Sequence, residues 1–136
     1  MEQLAVHLAL HGVAVLTVSV VAGLVLWRVL YHESDGADWH LVHASGSVRG
    51  IFLIALAPIV DLPALPEWLV AVAAWLIILF AWTSLIAMII RAFSGEHGFH
   101  PGGSKANSAV YVLYVIGAVA LFPACAILLV GLLKAL

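Results

Sequence analysis

The chain has 136 residues, of which 65% are hydrophobic and 9% charged, and its mean hydropathy is +1.21. Soluble domains carry roughly a quarter charged residues, so a water-exposed globular domain is excluded and an integral membrane protein is indicated. The formal charge is −2 and no basic patch is present, which leaves no surface suited to nucleic acid.

Apolar stretches recur four times at lengths that suit a bilayer needing about 20 helical residues to cross. The expected fold class is therefore all-α, an integral membrane four-helix bundle in a single transmembrane domain, residues 1–136. Helix one is expected over residues 4–31. Its apolar run from Val13 to Leu30 exceeds a signal-peptide core of roughly 7 to 15 residues and follows no basic region, so it reads as a retained span. HESDGAD, residues 32–38, is a short acidic loop, and Asp38 is placed to cap helix two over residues 39–60. The connector DLPALPE carries Pro63 and Pro66, which end helix two and start helix three over residues 67–91, because proline lacks the amide that a helix interior needs. AFSGEHGFHPGGSKANS, residues 92–108, has four glycines, one proline and two histidines and reads as an irregular loop at the membrane surface. Helix four is expected over residues 109–133. Arg28, Arg91 and Lys105 lie at one end against Lys134 at the other, and the positive-inside rule then puts the first and third loops in the cytoplasm. Cys125 is alone, so no intrachain disulfide forms.

The chemistry-bearing stretch is WHLVHASGSVRG, residues 39–50. At 1.5 Å per residue, His43 lies about 6 Å along helix two and Arg49 about 15 Å, near mid-membrane. Polar groups at such depth are expensive and usually face a bundle interior or a cofactor. Neutral imidazole ligates metals through one ring nitrogen, and Gly46 and Gly50 follow His43 on the same helix face, with Ser47 between them. Small residues on a membrane helix admit either a flat group or another helix. Two readings follow: a haem seat, or a packing seam with His43 hydrogen-bonded inside the bundle. His40, three residues before His43, offers a rival two-histidine metal site, although no carboxylate or cysteine within the spans completes it. His7 and His11, at the far end of helix one, read as an interfacial pair. Arg49 has no acidic partner in any span, which leaves hydroxyls such as Ser84, Tyr111 or Tyr114, backbone carbonyls, a neighbouring subunit or a bound anion. Trp27, Trp39 and Trp68 read as interfacial anchors.

HGVAVLTVSVVAGLVLW (11–27), WHLVHASGSVRG (39–50), the Trp82 region and the Gly-Phe-His-Pro-Gly loop together resemble the styrene oxide isomerase family of small four-helix membrane enzymes. Gly12, Gly23, Trp27, Trp39, His43, Gly50 and Trp82 fall in corresponding places over almost the whole chain. The resemblance implies a homotrimer in a bacterial inner membrane, with haem b ligated by His43 and ferric iron acting as a Lewis acid on a hydrophobic epoxide. Ring opening and a 1,2-hydride shift then yield an aldehyde. Gly46, Ser47, Gly50 and Trp39 are expected about the cofactor, and Arg49, Ser84 and Met88 on the distal side. Two positions depart from the family: an asparagine and a tyrosine near the substrate correspond here to Arg49 and Met88. The expected amide and phenol are therefore missing, and Met88 could be a pocket wall or a sixth iron ligand. Two alternatives remain beside the isomerase: a haem protein that binds ligands or carries electrons, and a structural membrane subunit without cofactor.

Overall fold

In the computed structural model, which describes residues 1–136, four helices make up the fold: α1 (Glu2–Tyr31), α2 (Ala37–Leu56), α3 (Glu67–Ser94) and α4 (Lys105–Lys134). All four are long and apolar enough to cross a membrane, and the chain is a multi-pass integral membrane protein. A 3₁₀ turn, Ala57–Ile59, continues α2 toward the proline-bearing connector.

The helix ends differ from expectation where polar side chains extend a helix beyond its apolar run. The carboxylate of Asp35 accepts the amide of Ala37 at 2.9 Å, so α2 begins two residues before Trp39 with Gly36 as its cap. Asp38 is not the cap: inside the first turn, it accepts the Arg91 Nε–H at 2.7 Å and ties the start of α2 to the end of α3. Helix α3 stops at Gly95, whose φ of 71° is left-handed and whose amide closes on the Arg91 carbonyl at 2.8 Å. Helix α4 begins at Lys105 rather than Ala109, because Ser104 Oγ accepts the Asn107 amide at 3.0 Å. Asn107 then organises the preceding loop: its Oδ1 accepts the Gly98 amide, and its Nδ2 donates to the carbonyls of His100 and Gly102.

Helices α1 and α2 form one close antiparallel pair, and α3 and α4 form another. Helix α3 joins them by packing on both α1 and α2, whereas α4 approaches closely the backbone of no helix but α3. The α1–α2 approach is close because its surfaces are small. A Cβ at Gly50 would stand 2.8 Å from the Gly12 carbonyl oxygen, and one at Gly12 would stand 2.8 Å from the Gly50 carbonyl oxygen. A Cβ at Gly46 would collide with Ser19 Oγ. Such small-residue seams are how membrane helices approach when lipid offers no hydrophobic driving force between them. The apolar core lies around α3, from Val70 through Ile77 to Met88, with Leu8 and Val15 of α1 and Val42 and Leu53 of α2.

Candidate functional site

His43 is held by α1. Its Nδ1 lies 2.8 Å from the Ser19 carbonyl oxygen, which can only accept, so Nδ1 carries the proton. The Nε2 lone pair is consequently free for a ligand, the arrangement in which metal-binding histidines are normally oriented. The ring lies over Gly23, where a Cβ would come within 2.7 Å of Nδ1 and 2.9 Å of Cε1. Ser19 and Gly23, four residues apart on α1, are thus the hydrogen-bond acceptor and the cradle for this imidazole. No reading of α2 alone reveals them. A serine and a glycine at helical spacing on a neighbouring span were the only available signal.

The remaining residues of the stretch have other tasks. Gly46 and Gly50 are buried against α1, so the packing alternative describes them and they leave no space for a flat group. Ser47 Oγ donates to the His43 carbonyl at 2.7 Å, a bond within α2 itself. Trp39 packs edge-on against Phe93 of α3, with ring centroids 4.9 Å apart, and joins the two helix ends. His40 is exposed, and no three His, Cys, Asp or Glu side chains converge anywhere in the structure.

Arg49 is on a different side of α2. Six residues beyond His43, it is turned by about 120° around the axis. Its guanidinium carbon lies 5.2 Å from the Phe80 ring centre on α3, and Nη1 donates to the Ser45 carbonyl at 2.8 Å. Backbone carbonyl is thus one partner foreseen for it, and Tyr114 of α4 is near enough to interact with both Arg49 and Arg91. Nε is buried with no partner. Beside the guanidinium, Ala44, Ser45, Val48, Phe52 and Phe80 wall an open cleft of about 400 Å³.

Ser84 and Met88 do not join His43 either. Ser84 is buried at the α3–α4 seam, where its Oγ would stand 3.2 Å from a Cβ on Gly117. Met88 is 2% exposed and belongs to the apolar core. Its depth matches that of His43, because the Asp38–Arg91 and Gly46–Leu85 contacts bracket both residues. Equal depth does not make a shared pocket, however. Within one chain, His43 borders α1, Arg49 opens between α2 and α3, Ser84 faces α4 and Met88 is packed inside. The expected distal wall of Arg49, Ser84 and Met88 is therefore not assembled around His43 in a single copy.

His11 also departs from expectation. His7 is exposed and stacks on it at 6.3 Å, but His11 is half-buried and accepts the Trp82 Nε1–H at 3.1 Å, linking α1 to α3 within the span. It is a structural bridge as well as half of an interfacial pair.

A family profile described as styrene oxide isomerase matches residues 4–133. No individual curated protein matches the chain. The four apolar spans, and a match that runs from the first turn of α1 to the last turn of α4, identify this membrane protein as a member of the styrene oxide isomerase family.

Proposed function

We propose that the chain is a haem b-dependent isomerase of a bacterial inner membrane, which converts a hydrophobic epoxide to an aldehyde. The observation that carries this reading is the His43 imidazole, anchored through Nδ1 on the Ser19 carbonyl with Nε2 left as a ligand. The residues present fit the group: one half-buried neutral imidazole with its proton fixed on the far nitrogen, held by Ser19 and Gly23, whose next residues in α1, Val20 and Leu24, are apolar and exposed. His43 would hold the iron, which in its ferric state supplies Lewis acidity toward an epoxide oxygen.

The protein's own part is orientation and exclusion of water. The Ser19 carbonyl fixes the tautomer of His43 and strengthens Nε2 as a donor. Gly23 leaves the ring its place. In the conversion, the benzylic C–O bond of an aryl epoxide breaks and a hydride moves to that carbon from its neighbour. The neighbour's oxygen becomes the carbonyl, so no electrons are gained or lost. A positively charged carbon needs a water-poor surrounding if it is to rearrange before capture, and the apolar spans provide one.

The homotrimer is proposed from family membership, and the distribution of faces supports it. His43 lies at one edge of the chain and the Arg49 cleft at another, and contacts between unlike faces form a ring where the rotation closes. One copy would then cover the imidazole of the next. The test is a visible spectrum of purified protein, with product formation from styrene oxide by the wild type and His43→Ala. A Soret band and phenylacetaldehyde, both lost in the variant, are expected. Haem without turnover on any of a panel of aryl and alkyl epoxides would leave a haem-binding protein without isomerase activity, and no haem at all would refute the reading.

A further inference from the structure

We propose that the Arg49 cleft binds the carboxylate of a hydrophobic molecule within the membrane. The Arg49 Cα lies about 18 Å along α2 from Ala37 and about 15 Å short of Ile59, at 1.5 Å per residue, and the guanidinium reaches back one turn to the Ser45 carbonyl, still well inside the span. A cation at that depth is retained when it has a partner or lines a cavity. This one has no counter-charge in its own chain. All seven acidic residues lie in loops or in the first turn of a helix, and the single ion pair joins Asp38 to Arg91.

The donor count points the same way. Of five N–H groups on a guanidinium, one is given to the Ser45 carbonyl. Nε is buried without a partner, and Tyr114 is an uncharged neighbour that cannot neutralise the cation. The face of Phe80 fixes the position of the guanidinium from one side. What remains is a planar fork of donors, whose geometry matches the two oxygens of a carboxylate. The surrounding wall is Ala44, Val48, Phe52 and Phe80, and the cleft, about 400 Å³, falls in the range of small-molecule sites. An apolar body with one carboxylate satisfies both parts. A phospholipid headgroup does not, because its phosphate stays at the surface, half a bilayer away.

Two sources could supply the carboxylate: a free hydrophobic acid or a propionate of a haem held by a neighbouring copy. The free-acid source is independent of the proposed function, whereas the propionate source rests on the haem of that reading. Decanoate and decanol would be titrated calorimetrically into the protein in nanodiscs of zwitterionic lipid, against empty nanodiscs. The proteins are wild type as purified, haem-free His43→Ala, Arg49→Gln and Arg49→Lys. Decanoate is expected to saturate a site with at least about tenfold preference over decanol, the preference of a charge-assisted bond over a neutral one. Arg49→Gln should abolish that preference and Arg49→Lys should retain part of it. Binding to both wild type and His43→Ala assigns the site to a free acid. Binding to His43→Ala alone, with weaker haem retention in Arg49→Gln, assigns it to a propionate. Equal binding of decanoate and decanol by haem-free His43→Ala would overturn the proposal even if Arg49→Gln failed to fold, and so would decanoate preference that survives in a folded Arg49→Gln protein.

Discussion

Gly23→Ala is the smallest change that tests whether α1 positions His43. The new Cβ would stand 2.7 Å from Nδ1, 2.9 Å from Cε1 and 3.3 Å from Cγ, where ordinary contact begins at 3.4 Å. The ring must therefore retreat by about 0.7 Å, the difference between 2.7 and 3.4 Å. A retreat of that size stretches the 2.8 Å contact with the Ser19 carbonyl beyond a good hydrogen bond. Loss of the bond is worth about 1 kcal/mol in net stability, while alanine in place of a mid-helix glycine returns about 0.5–1 kcal/mol. Thermal stability should thus stay close to wild type. Ligand affinity should not, because disturbing the group that orients a metal-binding histidine typically costs about 10- to 100-fold. Haem titration into apo-protein, followed at the Soret band beside a melting curve, separates the two quantities. Ser19→Ala is the control: it removes the Oγ bond to the Val15 carbonyl but keeps the backbone oxygen that His43 uses, so its haem affinity should be unchanged. Wild-type haem affinity in a folded Gly23→Ala protein would refute the argument that the cradle sets the ligand.

Two further substitutions test the frame that presents this site. Asn107→Leu removes bonds of 2.9, 3.0 and 2.7 Å to the Gly98 amide and the His100 and Gly102 carbonyls and leaves the Gly98 donor buried; about 2–4 kcal/mol should be lost, and an unchanged melting temperature would show that the loop is held by something else. Gly50→Val pushes a branched side chain against the Gly12 carbonyl oxygen, where a Cβ alone would already stand at 2.8 Å. Backbone cannot yield as a flexible side chain can, so α1 and α2 should separate, with a loss of about 2 kcal/mol or more and reduced haem retention together; a stable, haem-replete Gly50→Val protein would contradict the close seam.

The spans were legible because bilayer thickness sets a length that composition alone reveals, and the four observed helices match the four apolar runs. Their ends were less legible. Apolar runs report where lipid ends, but Asp35, through a turn bond to the Ala37 amide, and Ser104, through a capping bond to the Asn107 amide, start the helices earlier in ways that depend on loop conformation. Asp38 shows the same limit. It has the chemistry of a cap and stands next to the expected start, yet Arg91, fifty-three residues later, claims it. A local rule had no means of seeing that partner. Trp82 and His11, seventy-one residues apart, are a second such pair.

At the site, depth and direction had different fates. Depth along a helix follows from residue count at about 1.5 Å each, and His43 and Met88 do stand at one level, between the Asp38–Arg91 and Gly46–Leu85 contacts. Direction around the axis also follows from residue count, at about 100° per residue, and it separates His43 from Arg49 by about 120°. A sequence nevertheless leaves open which arc of a helix its neighbours fill. Gly46, Gly50 and His43 share an arc that could have opened onto a cofactor or closed onto a helix. Ser19, Gly12 and Leu16 of α1 decide the matter by occupying the glycine part of that arc and leaving His43 at its edge. The glycines therefore serve the ligand indirectly. By letting α1 approach to backbone contact, they bring the Ser19 carbonyl within 2.8 Å of Nδ1, and that contact turns a membrane histidine into one with a single nitrogen free to bind.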